Sequence, residues 1–107
     1  MELTISEAAG DKVIATPTVA DIEAALQVTG FSDDWALTLD DPDGPTLDAL
    51  WEDGHFVLRL FEGQTHLNAV PNPDAGTLKT VYARFLAGDA GWRDQCRWET
   101  PADTKKR

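Results

Sequence analysis

Few side chains in this 107-residue chain are able to do chemistry, and their spacing suits little of it. The first candidate is a calcium loop, because Asp40-Asp41-Pro42-Asp43-Gly44 gathers hard carboxylate donors beside a glycine. Aligning Gly44 with the glycine that an EF-hand loop needs at its sixth position puts Leu39 at the first ligand position and Leu50 at the twelfth, and neither binds a cation. The segment reads instead as an acidic Pro/Gly turn. A structural zinc site needs four clustered nitrogen or sulfur ligands, whereas the chain offers His55, His66 and Cys96. Cys96 alternates with Trp98 in a run that suits a small buried apolar residue better than a nucleophile, which would need a base beside it. No Gly-rich phosphate loop, His-Glu-x-x-His or Cys-x-x-Cys occurs. Carboxylate pairs for glycosidic chemistry could be drawn from any of 19 acids, so they carry no specificity. The expectation is a protein that is no enzyme, with no metal site and no cofactor.

Charge is the stronger signal. The formal charge is −10, and its placement matters more than its size. Ten acids (Asp21, Glu23, Asp33, Asp34, Asp40, Asp41, Asp43, Asp48, Glu52, Asp53) lie between Val13 and Leu58 without one Lys or Arg, while the remainder balances nine acids with nine bases. Such a chain is repelled by nucleic acid phosphates and by anionic membrane surfaces. A basic protein partner fits better, although the same charge also serves solubility. Exposed aromatics commonly cap a core edge, but interface hot spots are enriched in Trp, Tyr and Arg, so an aromatic framed by acids is also a candidate anchor. The candidate contact residues are therefore Asp41, Asp43, Asp48, Glu52, Asp53 and Phe61, with Trp92 and Trp98 as further aromatics outside the helical stripes.

The elements that must position these residues follow from periodicity. Thr18 is the expected cap of a helix carrying Val19, Ile22, Ala25 and Leu26, with Asp21 in its first turn and Gly30 at its end. Thr77 is the expected cap of a second helix, whose Leu78, Val81, Tyr82, Phe85 and Leu86 form one stripe ending near Gly88. Between them the period becomes two. A five-residue loop after Asp40, a two-residue Asp53-Gly54 turn and a two-residue Glu62-Gly63 turn then join four strands. These turns set Leu37 opposite Ala49, Trp51 opposite Phe56, Asp48 opposite Arg59, and Leu58 opposite Leu67. The apolar residues share one face in every register, which a one-residue slip would destroy. The expected fold is α+β: a four-stranded antiparallel meander with two helices packed on one face and a C-terminal edge strand over about Gln95 to Glu99. A short strand around Lys12 to Ala15 is a further expectation. The chain makes a single domain, 1–107, with frayed ends at 1–10 and 101–107. No apolar run approaches the roughly 20 residues needed to cross a bilayer. One cysteine and the start Met-Glu-Leu-Thr point to a reducing cytoplasm.

The order of these features from Val19 to Glu99 resembles the small bacterial immunity proteins that neutralise polymorphic toxins, in particular the family associated with deaminase-type toxins. The likeness rests on the helix with Ile22 and Leu26, the strand Trp35-Ala36-Leu37-Thr38-Leu39, the Asp53-Gly54-x-Phe56 hairpin, the late helix with Phe85 and Leu86, and the closing Trp98. The resemblance implies a bacterial inhibitor that binds a cognate toxin protein with a basic cleft, one that acts on nucleic acid. Neither nucleic acid nor membrane is then a partner, and the protein is a monomer or a homodimer. Two other readings stay open: a nucleic-acid mimic directed at nucleases or restriction enzymes, and a small ligand-binding domain.

Overall fold

Strands whose leucines alternate with polar residues have one face that must leave water. In the computed structural model, which describes residues 1–8, 10–27 and 31–100, seven such strands join into one antiparallel sheet. The strands are β1 (Glu2–Glu7), β2 (Gly10–Ile14), β3 (Ala36–Asp40), β4 (Thr46–Glu52), β5 (His55–Glu62), β6 (Thr65–Val70) and β7 (Arg97–Glu99). Their order across the sheet is β2-β1-β3-β4-β5-β6-β7. Two helices, α1 (Val19–Leu26) and α2 (Ala75–Leu86), and a 3-10 turn (Ala90–Gln95) complete the chain. The fold class is α+β, but the sheet has seven strands where four were expected.

The extra strands lie where local patterning is weakest. Within the stretch expected to fray, Glu2–Glu7 form β1, which sits between β2 and β3, with Leu3 opposite both Ile14 and Leu39 and fully buried. Only Leu3 and Ile5 mark its apolar face, a signal too short to distinguish a strand from a frayed end without the partner β3. The expected strand near Lys12 is β2, and the expected C-terminal strand is β7, shortened to three residues because Ala90–Gln95 coils into the 3-10 turn. Gly30 and residues 101–107, to which a helix end and a frayed tail were assigned, lie outside the described residues.

The first two expected registers hold, with Leu37 opposite Ala49, Trp51 opposite Phe56 and Asp48 opposite Arg59. Asp53 and Gly54 both have positive φ (52° and 83°), as a type I′ hairpin requires. The β5–β6 register differs. Glu62 pairs with Thr65, so the turn is Gly63-Gln64, and Leu60 rather than Leu58 lies opposite Leu67. Glycine at the first central position, with φ of 61°, suits a type II′ turn. The shift is two residues, so every side chain keeps its face.

One layer of core crosses five strands as Leu3, Leu39, Leu47, Leu60 and Leu67; a second runs through Ile5, Leu37, Ala49 and Leu58. Ile22 and Ala25 of α1 and Leu78, Val81, Tyr82 and Phe85 of α2 close over them. Val19, expected in the apolar stripe of α1, is 41% exposed at the helix start. The Tyr82 hydroxyl is buried and donates to the Leu37 carbonyl at 2.6 Å. Burial, with the Asp48 charge across the sheet, pushes this phenol well above its ordinary pKa, so it stays a donor.

The caps also divide. At α1, the Asp21 carboxylate accepts from the Thr18 N–H at 2.8 Å, as a capping residue at that spacing should. At α2 the cap is Asp74, not Thr77: its carboxylate accepts from the Thr77 N–H at 2.8 Å. That backbone hydrogen bond holds the Asp74 carboxyl below its usual range. A depressed folded-state pKa stabilises above the unfolded pKa and is lost as pH falls through the folded one. Asp74→Ala is therefore expected to lower the melting temperature at pH 7, and the gap from wild type should close as pH drops from about 4 towards 2. Leu3→Ala should cost about 2–5 kcal/mol in chemical denaturation. A cost near zero would place residues 2–7 outside the folded sheet.

Candidate functional site

The helices cover one face of the sheet, and among the described residues no element covers the other. Thr4, Ala36, Thr38, Asp48, Leu50, Val57, Arg59, Phe61, His66 and Asn68 point to that side, and none of them is fully buried. Its central row crosses all seven strands as Val13, Thr4, Thr38, Asp48, Arg59, Asn68 and Glu99. Asp48 is held from both sides, accepting from Thr38 Oγ1 at 3.0 Å and forming an ion pair with Arg59. Arg59 lies 5.3 Å from the Phe61 ring centroid, and Phe61 stacks on His66 at 4.6 Å. His66 thus faces Phe61, and Asn68 lies opposite Arg59. Arg59 Nε, His66 Nε2 and Asn68 Oδ1 are buried without a hydrogen-bond partner.

The six candidate residues do not form one patch. Asp41 and Asp43 occupy the β3–β4 loop, where Asp41 Oδ1 accepts from the Asp43 N–H at 3.0 Å. Glu52 and Asp53 sit at the β4–β5 turn, at the opposite end of β4. Six residue steps at about 3.4 Å put the two groups roughly 20 Å apart. Asp48 lies between them, its charge matched by Arg59. Phe61 pairs with Thr46 and so belongs to the Asp41 end.

Each end gathers more acids than the candidate set contained. Glu2 is directly opposite Asp40, next to the Asp41 loop. Glu7, at the end of β1, joins Asp33 and Asp34, just ahead of β3, at the Glu52 end. Glu2 was missed because its segment was read as frayed; its partner Asp40 was visible in the sequence, but not as its neighbour.

No described cation pairs with these rims. Of the six Lys and Arg residues described, five are taken up in pairs: Arg59 with Asp48, Lys79 with Glu23, Arg84 with Asp89, Arg93 with Glu62, and Arg97 with Glu99. The Arg93 guanidinium, through its hydrogen bond, holds the Glu62 carboxyl below its usual range. Among the described residues no Lys or Arg pairs with Glu2, Asp40, Asp41 or Asp43, nor with Glu7, Asp33, Asp34, Glu52 or Asp53.

Little else is arranged for chemistry. Among the described residues no group of three or more His, Cys, Asp or Glu side chains is placed to hold a metal ion, and no helix is long and apolar enough to cross a membrane. Cys96 is half-buried, and burial pushes its thiol pKa up, against nucleophilic use. An open concavity of about 710 Å³ lies between the β6–α2 loop and the turn into β7, lined by Pro71, Asn72, Asp74, Thr77, Cys96 and Arg97 among others. It contains none of His55, Arg59 or His66. Trp92, outside the helical stripes, is 8% exposed and packs on Phe85 at 5.1 Å.

No family model, no curated protein and no solved structure matches this chain. The surface must then be argued from its own residues. Asp48 is tied into the sheet by Thr38 and Arg59, whereas the rim acids make only local, exposed hydrogen bonds, Asp40 with Thr46 and Asp41 with Asp43. Asp48→Ala, which leaves Arg59 without its partner, should cost about 1–3 kcal/mol in urea denaturation. Asp41→Ala and Glu52→Ala should stay within about 0.5 kcal/mol of wild type.

Proposed function

We propose that this protein is an immunity-type inhibitor: it binds and neutralises a bacterial toxin domain that acts on nucleic acid, by presenting acids to that domain's basic cleft. The observation that carries the reading is the division of charge. Five of six described Lys and Arg residues are consumed by local pairs, while the acids at and beside the ends of β1, β3 and β4 have no described cation paired to them. Unpaired, hydrated carboxylates add little to stability, but they raise the rate of encounter with a basic partner, by about tenfold to a thousandfold at low salt. An enzyme that binds nucleic acid offers such a surface, since it must attract phosphates. The sheet face without a layer lies between the rims and supplies contact area. The likeness in feature order to immunity proteins supports the same class of partner.

A nucleic-acid mimic needs carboxylates in a regular row along one surface. Here the central row of the open face carries only Asp48, already paired, and Glu99, also paired, while the unpaired acids stand at two separated ends. That placement counts against mimicry. A small ligand-binding domain would be favoured by a polar pocket around His55, Arg59 or His66, and the 710 Å³ concavity lies elsewhere.

Co-expression with the polypeptide encoded by the adjacent reading frame tests the proposal. The expected result is that this protein restores growth and co-purifies with that polypeptide, and that Asp41→Lys with Asp43→Lys weakens binding at least tenfold, while Asp94→Lys changes it less than twofold. Equal loss from both variants would remove the electrostatic part. Absence of both toxicity and binding would overturn the function.

A further inference from the structure

We propose that the outer edge of β7 pairs with the same edge of a second copy of this chain, about a two-fold axis at Trp98. β7 is an end strand of the sheet, bonded to β6 on one side, and among the described residues no strand occupies the other. Its sequence is Arg97-Trp98-Glu99. An antiparallel pairing centred on Trp98 sets Arg97 opposite Glu99 of the second copy, and Glu99 opposite Arg97 of the second copy. Opposite charges at directly facing positions stabilise a strand pair, and like charges oppose it. The alternative registers that keep the faces aligned are two residues away. They put Arg97 against Arg97, or Glu99 against Glu99. Only the Trp98-centred register is attractive. Centring the other sheet edge, β2, on its middle residue would put Lys12 against Lys12.

Both charged residues are exposed, so their ion pair within one chain can be exchanged for two across the axis. Arg97 Nε now donates to Glu99 Oε2 within one chain at 2.7 Å, with the two side chains 70% and 49% exposed. A two-fold axis normal to the sheet keeps like faces together. The ion pairs would form on the open face, and the two Trp98 rings would meet on the helix side. Trp98 lies opposite the buried Ala69, packs on Trp92 at 5.9 Å and remains half-exposed at the sheet edge. Net charge does not forbid the contact. β4 and its acids are three strands from β7, about 14 Å at ordinary strand spacing, which exceeds the Debye length of about 8 Å at physiological salt. Three residues a side bury well below the roughly 1,600 Å² of a standard interface, so the dimer is reversible and populated on the order of 100 µM.

Sedimentation equilibrium on the full chain from about 10 to 500 µM, at neutral pH, is the test. Wild type is expected to pass from monomer to dimer across that range. Arg97→Glu alone and Glu99→Arg alone each oppose like charges across the axis and should raise the dimer Kd by about tenfold or more. The double variant R97E/E99R restores both pairs and should dimerise as wild type does. An equimolar mixture of the two single variants is the decisive arm. Each chain then carries like charges within itself but complementary charges across the axis, so a mixed dimer should form where neither variant dimerises alone. A role confined to one chain cannot produce that result. Wild type that remains monomeric throughout, single variants that dimerise as wild type does, or a mixture that stays monomeric would each overturn the proposal.

Discussion

Everything in this molecule depends on removing one face of a sheet from water. The row Leu3, Leu39, Leu47, Leu60 and Leu67, with the row beside it, forms a continuous apolar surface that is closed by Tyr82, Phe85, Val81, Leu78 and Ile22. Full burial of each leucine stabilises by about 1.5–3 kcal/mol, so this layer outweighs any of the surface ion pairs, which contribute at most about 1 kcal/mol each. The aromatic group Phe31, Trp35, Trp51 and Phe56 closes one end of the layer, with ring centroids 4.9–5.5 Å apart in the Trp51–Phe56 and Trp35–Phe56 pairs. The consequence is two-sidedness: a helix-covered face that holds the fold, and an open face that has no partner within the described residues.

The central hairpins were legible because their signals are local. Asp53-Gly54 dictates its turn, and alternation on both sides fixes the pairing of Trp51 with Phe56 and Asp48 with Arg59. The Glu62-Gly63-Gln64 segment offered two placements of a two-residue turn, and the apolar pattern is unchanged by a shift of two, so face was readable where register was not. β1 could not be read because its identity as a strand comes from β3, more than thirty residues away. The same gap obscured the surface. Without β1 next to β3, Glu2 was no neighbour of Asp40, whereas the separation of Asp41 from Glu52 was already implicit in the two expected turns, which stand at opposite ends of β4.

Placing the cations changed the meaning of the charge. Arg59, Lys79, Arg84, Arg93 and Arg97 serve the fold's own acids, and Asp48, which sequence alone puts among the contact residues, is one of those they serve. Of the described acids without a cation, Asp11, Asp21, Asp74 and Asp94 lie elsewhere, and the rest stand at the ends of β1, β3 and β4. These carboxylates contribute nothing to packing, and Asp21, a helix-capping acid, is the contrasting case. A chain that keeps so many of its described acids outside its own pairing network is suited to meeting positive charge elsewhere.

The claim that the rims exist for encounter with a basic protein is tested most directly by the association rate. Stopped-flow mixing of the purified protein with the purified polypeptide of the adjacent reading frame, from about 50 to 500 mM salt, should show a rate constant falling by about tenfold or more. A variant with Asp41, Asp43, Glu52 and Asp53 changed to their amides should associate slowly at low salt, with little dependence on salt. A wild-type rate that is flat across that range, or equal to that of the amide variant at every salt concentration, would contradict the account.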